Sequence, residues 1–210
     1  MKYVDTSIKT ANLNTTYPII TSVEISGMDN SIAASGYPMA TDATNLLPNR
    51  VADNGMKRAN KLASAPSGSG HDCFLKGIVV QMDVTFSEKA WPEAQRYHWF
   101  DFVSSMSTMH MLPKMHIKYI EYTDPEIIKR FEELVAAYNE EPTRENWLRM
   151  IYSYPSGLLL TARITTNYMQ LKTIYHQRRH HRLPEWQEFC DWVEGLPHSK
   201  FITGKTEEYK

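Results

Sequence analysis

The sequence predicts a single α+β domain: a small, mostly antiparallel sheet packed with several helices, one of them a long helix in the C-terminal half. Three observations carry that expectation. The run Ile78 to Phe86 alternates strictly between Ile78, Val80, Met82, Val84, Phe86 and the intervening residues, which marks a strand with one buried face. Apolar residues recur at helical spacing through 125–138, 157–182 and 184–193. No repeat and no linker interrupts the 210 residues, a length that suits one domain, and 42% apolar residues can fill its core.

In chain order, residues 1–16 form a polar lead-in, 17–197 the domain and 198–210 a flexible tail. Tyr17 to Ser26 reads as a strand, because Ile19, Ile20, Val23 and Ile25 are β-branched and partly alternate. Asp29 to Tyr37 suits a short helix, and Met39 to Asn49 a loop. A helix follows over Arg50 to Ala63, with Val51, Met56, Ala59 and Leu62 on one side. It ends at the Gly- and Ser-rich stretch 65–70. After the strand 78–86, Trp91-Pro92 opens a third helix, which runs to about Met111 and stops before Pro113. Met115 to Tyr122 is extended. Asp124-Pro125-Glu126 starts a helix through Ile127, Phe131, Leu134 and Tyr138, and Thr143 caps a further short one. Gly157 to Arg182 forms the longest helix, with Leu160, Ile164, Tyr168, Leu171 and Tyr175 on its buried stripe. The last helix starts at Pro184 and closes at Gly195.

Composition narrows the function classes. Twenty-three Lys and Arg balance 24 Asp and Glu, so the chain is no generally basic nucleic-acid coat. Two cysteines, Cys73 and Cys190, make neither a disulfide scaffold nor a Cys-rich zinc site. No run approaches the ~20 apolar residues of a membrane span. The amino terminus lacks a secretory layout, and a cytoplasmic protein is expected.

Two polar stripes draw notice. On the third helix, Gln95, His98, Asp101, Ser105 and Thr108 share a side, and Asp101 is placed to orient the His98 imidazole. The longest helix aligns Arg163, Asn167, Gln170, Arg178 and His181, a set that can hold a phosphate and read a base edge. A solvated helix face has the same spacing in each case, and both readings stand. His176 and His180 are four apart, but no Glu follows the first and three nearby arginines repel a dication, so no metal is expected. The basic run around them leaves nucleic-acid contact as a minority reading.

Gly70-His71-Asp72, Phe74, the strand 78–86 and Gln95-Arg96-Tyr97-His98 leading to Ser107 resemble the flavin-dependent thymidylate synthases. That family carries a Gly-His-Glu segment, a strand and an Arg-His-Arg-x-x-Ser signature in this order. Thr166-Asn167 to Arg178, then Glu185-Trp186-Gln187-Glu188, is similar to the family's Asn-Ala-Arg and Gln-Trp-Glu regions, and the likeness spans about residues 17–196. Three differences stand out: Tyr97 interrupts the signature, Lys76-Gly77 replaces a Glu-His pair, and Met169 occupies the position of the Asn-Ala-Arg arginine.

The resemblance implies a homotetramer that binds a pyrimidine nucleotide such as dUMP and FAD, and transfers one carbon to C5 of the base. Methylenetetrahydrofolate and NADPH are the implied co-substrates. His71, Arg96 and His98 would face the flavin, and Gln95, Ser107, Arg163 and Arg178 the nucleotide, to which the polar stripe of the longest helix adds Asn167 and Gln170. His98 and Asp101 would carry the acid–base work. The alternative from another class is a catalytically lapsed member of the same fold that binds a nucleotide, a nucleic acid or a protein.

Overall fold

The computed structural model describes residues 19–42, 53–66 and 68–204. Its elements are β1 (Ile20–Ser26), α1 (Met28–Ala34), α2 (Asp53–Ala63), β2 (Val79–Ser87), α3 (Trp91–Ala94), β3 (Asp101–Ser105), α4 (Thr108–Met111), α5 (Pro125–Glu140), α6 (Arg144–Ile151), β4 (Leu159–Asn167), α7 (Tyr168–Arg178), α8 (Pro184–Glu194) and α9 (Lys200–Thr203). One-turn 3₁₀ segments lie at Tyr37–Met39, Cys73–Gly77 and Leu112–Lys114. The four strands form one sheet in the order β1-β2-β4-β3, with every pair antiparallel. The α+β expectation holds. The expected lead-in 1–16, the loop residues beyond 42 and residues 205–210 lie outside the described residues.

The alternation in β2 works as read. Val80, Met82, Val84 and Phe86 are buried, and Gln81, Asp83 and Thr85 face the other way. On that second face the register sets up a polar ladder with β4. Gln81 donates to Thr165 Oγ1 at 3.1 Å, Arg163 donates to Asp83 at 3.4 Å, and Thr85 and Thr161 hydroxyls meet at 2.7 Å. Beneath the first face, Phe86 packs edge-on against Trp186 at 4.9 Å and against Trp91 at 5.3 Å, with Phe189 completing the group. Ser87 donates to the buried Glu185 carboxylate and so ties β2 to α8. Helix starts follow their capping residues: Asp124 accepts from Glu126 N at 2.8 Å, and Thr143 from Asn146 N at 3.2 Å.

Two expectations are overturned, both for the same physical reason. The third helix lasts one turn, Trp91–Ala94, and the chain then leaves it. Asp101 to Ser105 pairs with β4 as an edge strand, with Asp101 opposite Thr165 and Ser105 opposite Ala162. The apolar residues along this segment are on the surface: Trp99, Phe102, Val103, Met106 and Met109 are all exposed. The long helix from Gly157 is in fact β4 followed by α7. Thr161, Ile164, Thr165 and Thr166 are β-branched, and two flanking strands satisfy their backbone groups. Order also continues past His198, where the sequence suggested a tail, because α9 seats Phe201 and Ile202 in the core. Among the described residues no helix is long and apolar enough to cross a membrane.

Candidate functional site: a cleft at the sheet edge and a locked arginine

Trp91 anchors the site. Its ring packs on Phe86 and Phe102, and its Nε1 donates to the Leu160 carbonyl at 3.1 Å. This fixes α3 across the ends of β3 and β4 and leaves a cleft of about 280 Å³ between them. Gln95 from the end of α3, Ser105 from β3, Ser107 and Thr108 at the start of α4 and Thr161 from β4 line it, together with Glu88. Ser107 Oγ lies 2.9 Å from His110 Nδ1, which holds the turn at the start of α4. Gln95, Ser105 and Thr108, which the sequence placed on one helix side, do meet here with Ser107. They do so across a helix end, a strand and a turn.

Arg178 occupies a second, adjoining cluster, and it is not free. Its Nη1 lies 2.6 Å from Glu93 Oε2, and its Nε donates to Tyr97 Oη at 2.8 Å. The guanidinium also lies over Trp186, 4.9 Å from the ring centroid. Tyr97 in turn donates to Gln177 Oε1 at 3.0 Å. Burial raises the Tyr97 hydroxyl above its ordinary pKa, with Arg178 pulling the other way. His181 Nε2 sits 3.0 Å from the same Glu93 oxygen. Sequence reasoning did not link Glu93 and Tyr97 to Arg178, because they lie 85 and 81 residues from it along the chain.

The remaining candidates fall in three places. Arg163 projects from the polar face of the sheet, where it donates to the Ser22 carbonyl at 2.7 Å and pairs with Asp83 and Glu24. Ser22 lies in the left-handed region at φ 51°, in the irregularity where β1 shifts register against β2, so Arg163 pins that bulge. Asn167 is the N-cap of α7 and accepts from Gln170 N at 2.9 Å; Gln170 itself is buried. The expected line from Arg163 through Asn167 and Gln170 to Arg178 does not exist, since it crosses from strand to helix. His98 lies in the turn before β3 and Asp101 opens that strand; both are exposed, and no hydrogen bond joins them. The expected orientation of His98 by Asp101 required a helix that is absent there. His176 is in α7 but His180 lies beyond its end, which breaks their shared helical turn.

His71 precedes the Cys73–Gly77 turn and is exposed. The turn is held by Lys172, whose Nζ donates at 2.8 Å to the Ala63 carbonyl, the Ala65 carbonyl and Asp72 Oδ2. Packing against Gly27 also holds it, because a Cβ at Gly27 would collide with the Gly77 carbonyl oxygen. Lys76 reaches from this turn over the Trp99 ring, 5.6 Å from its centroid, and so brings the His71 segment beside the His98–Trp99 turn. His71, Lys76 and His98 are exposed here, as is Arg96 two residues before His98 in the chain.

No protein-family model and no curated protein sequence matches the chain. Solved structures do. Thymidylate synthase X from Helicobacter pylori, solved with FAD and dUMP, superposes with a TM-score of 0.69 at 13% identity, over 88% of this chain and 98% of that one. A second structure of the Helicobacter pylori flavin-dependent enzyme, also complexed with FAD and dUMP, gives 0.64 at 13% identity over 88% and 99%. Nearly the whole of each enzyme chain is matched, and the chain described here has the fold of the flavin-dependent thymidylate synthases.

Proposed function

We propose that this chain is a divergent relative of those enzymes that binds a pyrimidine nucleotide-type ligand in the cleft between α3, β3 and β4. The observation that supports this most directly is the convergence of Gln95, Ser105, Ser107, Thr108 and Thr161 on one cleft of about 280 Å³. A Gln amide offers a donor beside an acceptor, the pattern that complements a pyrimidine edge, and hydroxyls suit a sugar. The neighbouring enzymes were solved with dUMP, which favours the same ligand class here.

FAD fits the donor set at the other end. A flavin dinucleotide needs cations for its diphosphate; Lys76 is exposed in the segment that carries His71, and Arg96 is exposed two residues before His98 in the chain. In this reading Arg96 and Lys76 hold the diphosphate, while His71 and His98 hydrogen-bond the remaining polar edge. When bound, reduced flavin supplies a hydride. NADPH and methylenetetrahydrofolate belong to this reading as co-substrates. The exposed apolar stripe from Trp99 to Met109 is assigned to contact between copies of the chain, in keeping with the tetramer that the resemblance implies.

A non-catalytic binding module is the second reading, and one observation favours it: Arg178 and Arg163 are committed to ion pairs inside the chain. An absorbance spectrum of the purified protein after incubation with FAD and size exclusion separates the two. Co-eluting flavin absorbance in an oligomer peak supports the flavoenzyme reading. A colourless protein in excess FAD refutes it and leaves the binding module.

A further inference from the structure

A separate cleft, of about 360 Å³, opens where β2 ends, between the start of α8 and the turns that precede α5 and β4. It shares no lining residue with the cleft between α3, β3 and β4, and no residue of the exposed stripe from Trp99 to Met109 lines it. Its walls are largely apolar, with Ile120, Tyr122, Ile127, Leu183 and Pro184 among them.

Glu185 sets the chemistry of this cleft. It lines the cleft with only 2% of its surface exposed. Its Oε1 accepts from Ser87 Oγ, whereas Oε2 is buried with no hydrogen-bond partner. A buried carboxylate oxygen is costly unless a donor or a cation meets it. The first turn of α8, where Glu185 is the second residue, favours an anion but gives Oε2 no donor. Thr123 lines the same cleft, and its Oγ1 is also buried without a partner. Gly157 leaves room for that hydroxyl, since a Cβ at Gly157 would fall on Thr123 Oγ1. Asp124 adds a second carboxylate to the lining. Lys89 is the one cation of that lining; it is exposed, and no ion pair joins it to Glu185 among the described residues.

We propose that this cleft binds an apolar primary amine as its ammonium ion, with the charge on Glu185 and the body between Ile120, Ile127 and Leu183. An ammonium carries three donors, enough for Glu185 Oε2, Thr123 Oγ1 and one further acceptor. The apolar walls take the body out of water. A metal ion fits less well, because among the described residues no three His, Cys, Asp or Glu side chains converge to hold one.

The test uses the full-length protein in its own oligomeric state, titrated calorimetrically at neutral pH with phenethylamine and, separately, with 2-phenylethanol, which has the same body and no charge. The amine is expected to bind at least about tenfold more tightly than the alcohol, the gain of a charge-assisted contact. Glu185→Gln keeps the side-chain shape and an oxygen acceptor for Ser87, so it should abolish the preference and leave the alcohol unchanged. Lys89→Met, at an exposed position, reads the same charge without touching the buried group, and should tighten amine binding about two- to threefold. Equal binding of the two probes, no amine binding at millimolar concentration, or an amine affinity that either folded variant leaves unchanged overturns the proposal. None of these outcomes bears on the pyrimidine reading, because the two clefts share no residue.

Discussion

Lys172 gives the sharpest test of how the site is held. Its side chain is 7% exposed and that of Asp72 is 1% exposed, with 2.8 Å between Nζ and Oδ2. Asp72 Oδ1 is buried without a hydrogen-bond partner, so Lys172 is the group that compensates this carboxylate. Replacing it by Met leaves a buried carboxylate alone, and removing one partner of such a pair typically costs about 3–5 kcal/mol. The two α2-end carbonyls, of Ala63 and Ala65, lose their donor at the same time. For a chain of this size each kcal/mol lowers the melting temperature by about 2–4 °C, so a fall of roughly 6–20 °C is expected. Thermal and urea unfolding followed by circular dichroism measure the melting temperature and the free energy for Lys172→Met, for Asp72→Asn and for the double variant. Removing both charges removes the unpaired carboxylate, so the double variant should cost less than the sum of the singles by at least about 1 kcal/mol. A Lys172→Met loss under about 1 kcal/mol, or strictly additive singles, would refute the account. It would also mean that something other than this pair positions the His71 segment.

The other expectations concern the locked arginine and the buried thiol. Arg178→Ala should act first on stability, lowering it by about 2–3 kcal/mol as charge-assisted bonds to Glu93 and Tyr97 are lost; an unchanged urea midpoint would show that the guanidinium is free for a ligand. Burial pushes the Cys190 thiol from 9.0 up to about 12, whereas Cys73 is exposed. At pH 8 a disulfide-exchange reagent should therefore label one thiol per folded chain and the second only after unfolding. Between 9.0 and about 12 the unfolded chain has lost the Cys190 proton and the folded chain keeps it. The unfolded state then binds fewer protons, so stability is full below pH 9 and falls as pH rises through that window. Cys190→Ala should flatten the fall, and an identical slope in the variant would remove Cys190 as its cause.

The fold was legible where one period excluded the other. In β2, apolar residues at every second position cannot lie on one side of a helix, and the strand formed as read. Across β4 and into the first residue of α7 the apolar marks are Leu160, Ile164 and Tyr168, four apart. Four is a multiple of two, so the same spacing satisfies a strand face as well as a helix stripe. The residues that decide are those between: Ala162 and Thr166 are buried on the Leu160–Ile164 side, which only a period of two allows. Phe102 and Met106 carry the same ambiguity in the segment around β3. Their strand conformation comes from pairing with β4, a partner more than 50 residues away, which no local pattern contains.

The site shows the same division between local and distant causes. Gln95, Ser105 and Thr108 could be picked out from a false helix, and Ser107 from the resemblance, because the chain reverses compactly there; a helix end, a strand edge and a turn still gather neighbouring residues around one cleft. The cationic half could not. Whether Arg163 and Arg178 serve a ligand depends on which acid reaches them first, and those acids come from β1, β2 and α3. An arginine in a sequence is a capacity for binding anions; in the fold that capacity is already used at Glu93 and Asp83. The cleft is thus left with neutral hydrogen-bonding groups and one carboxylate.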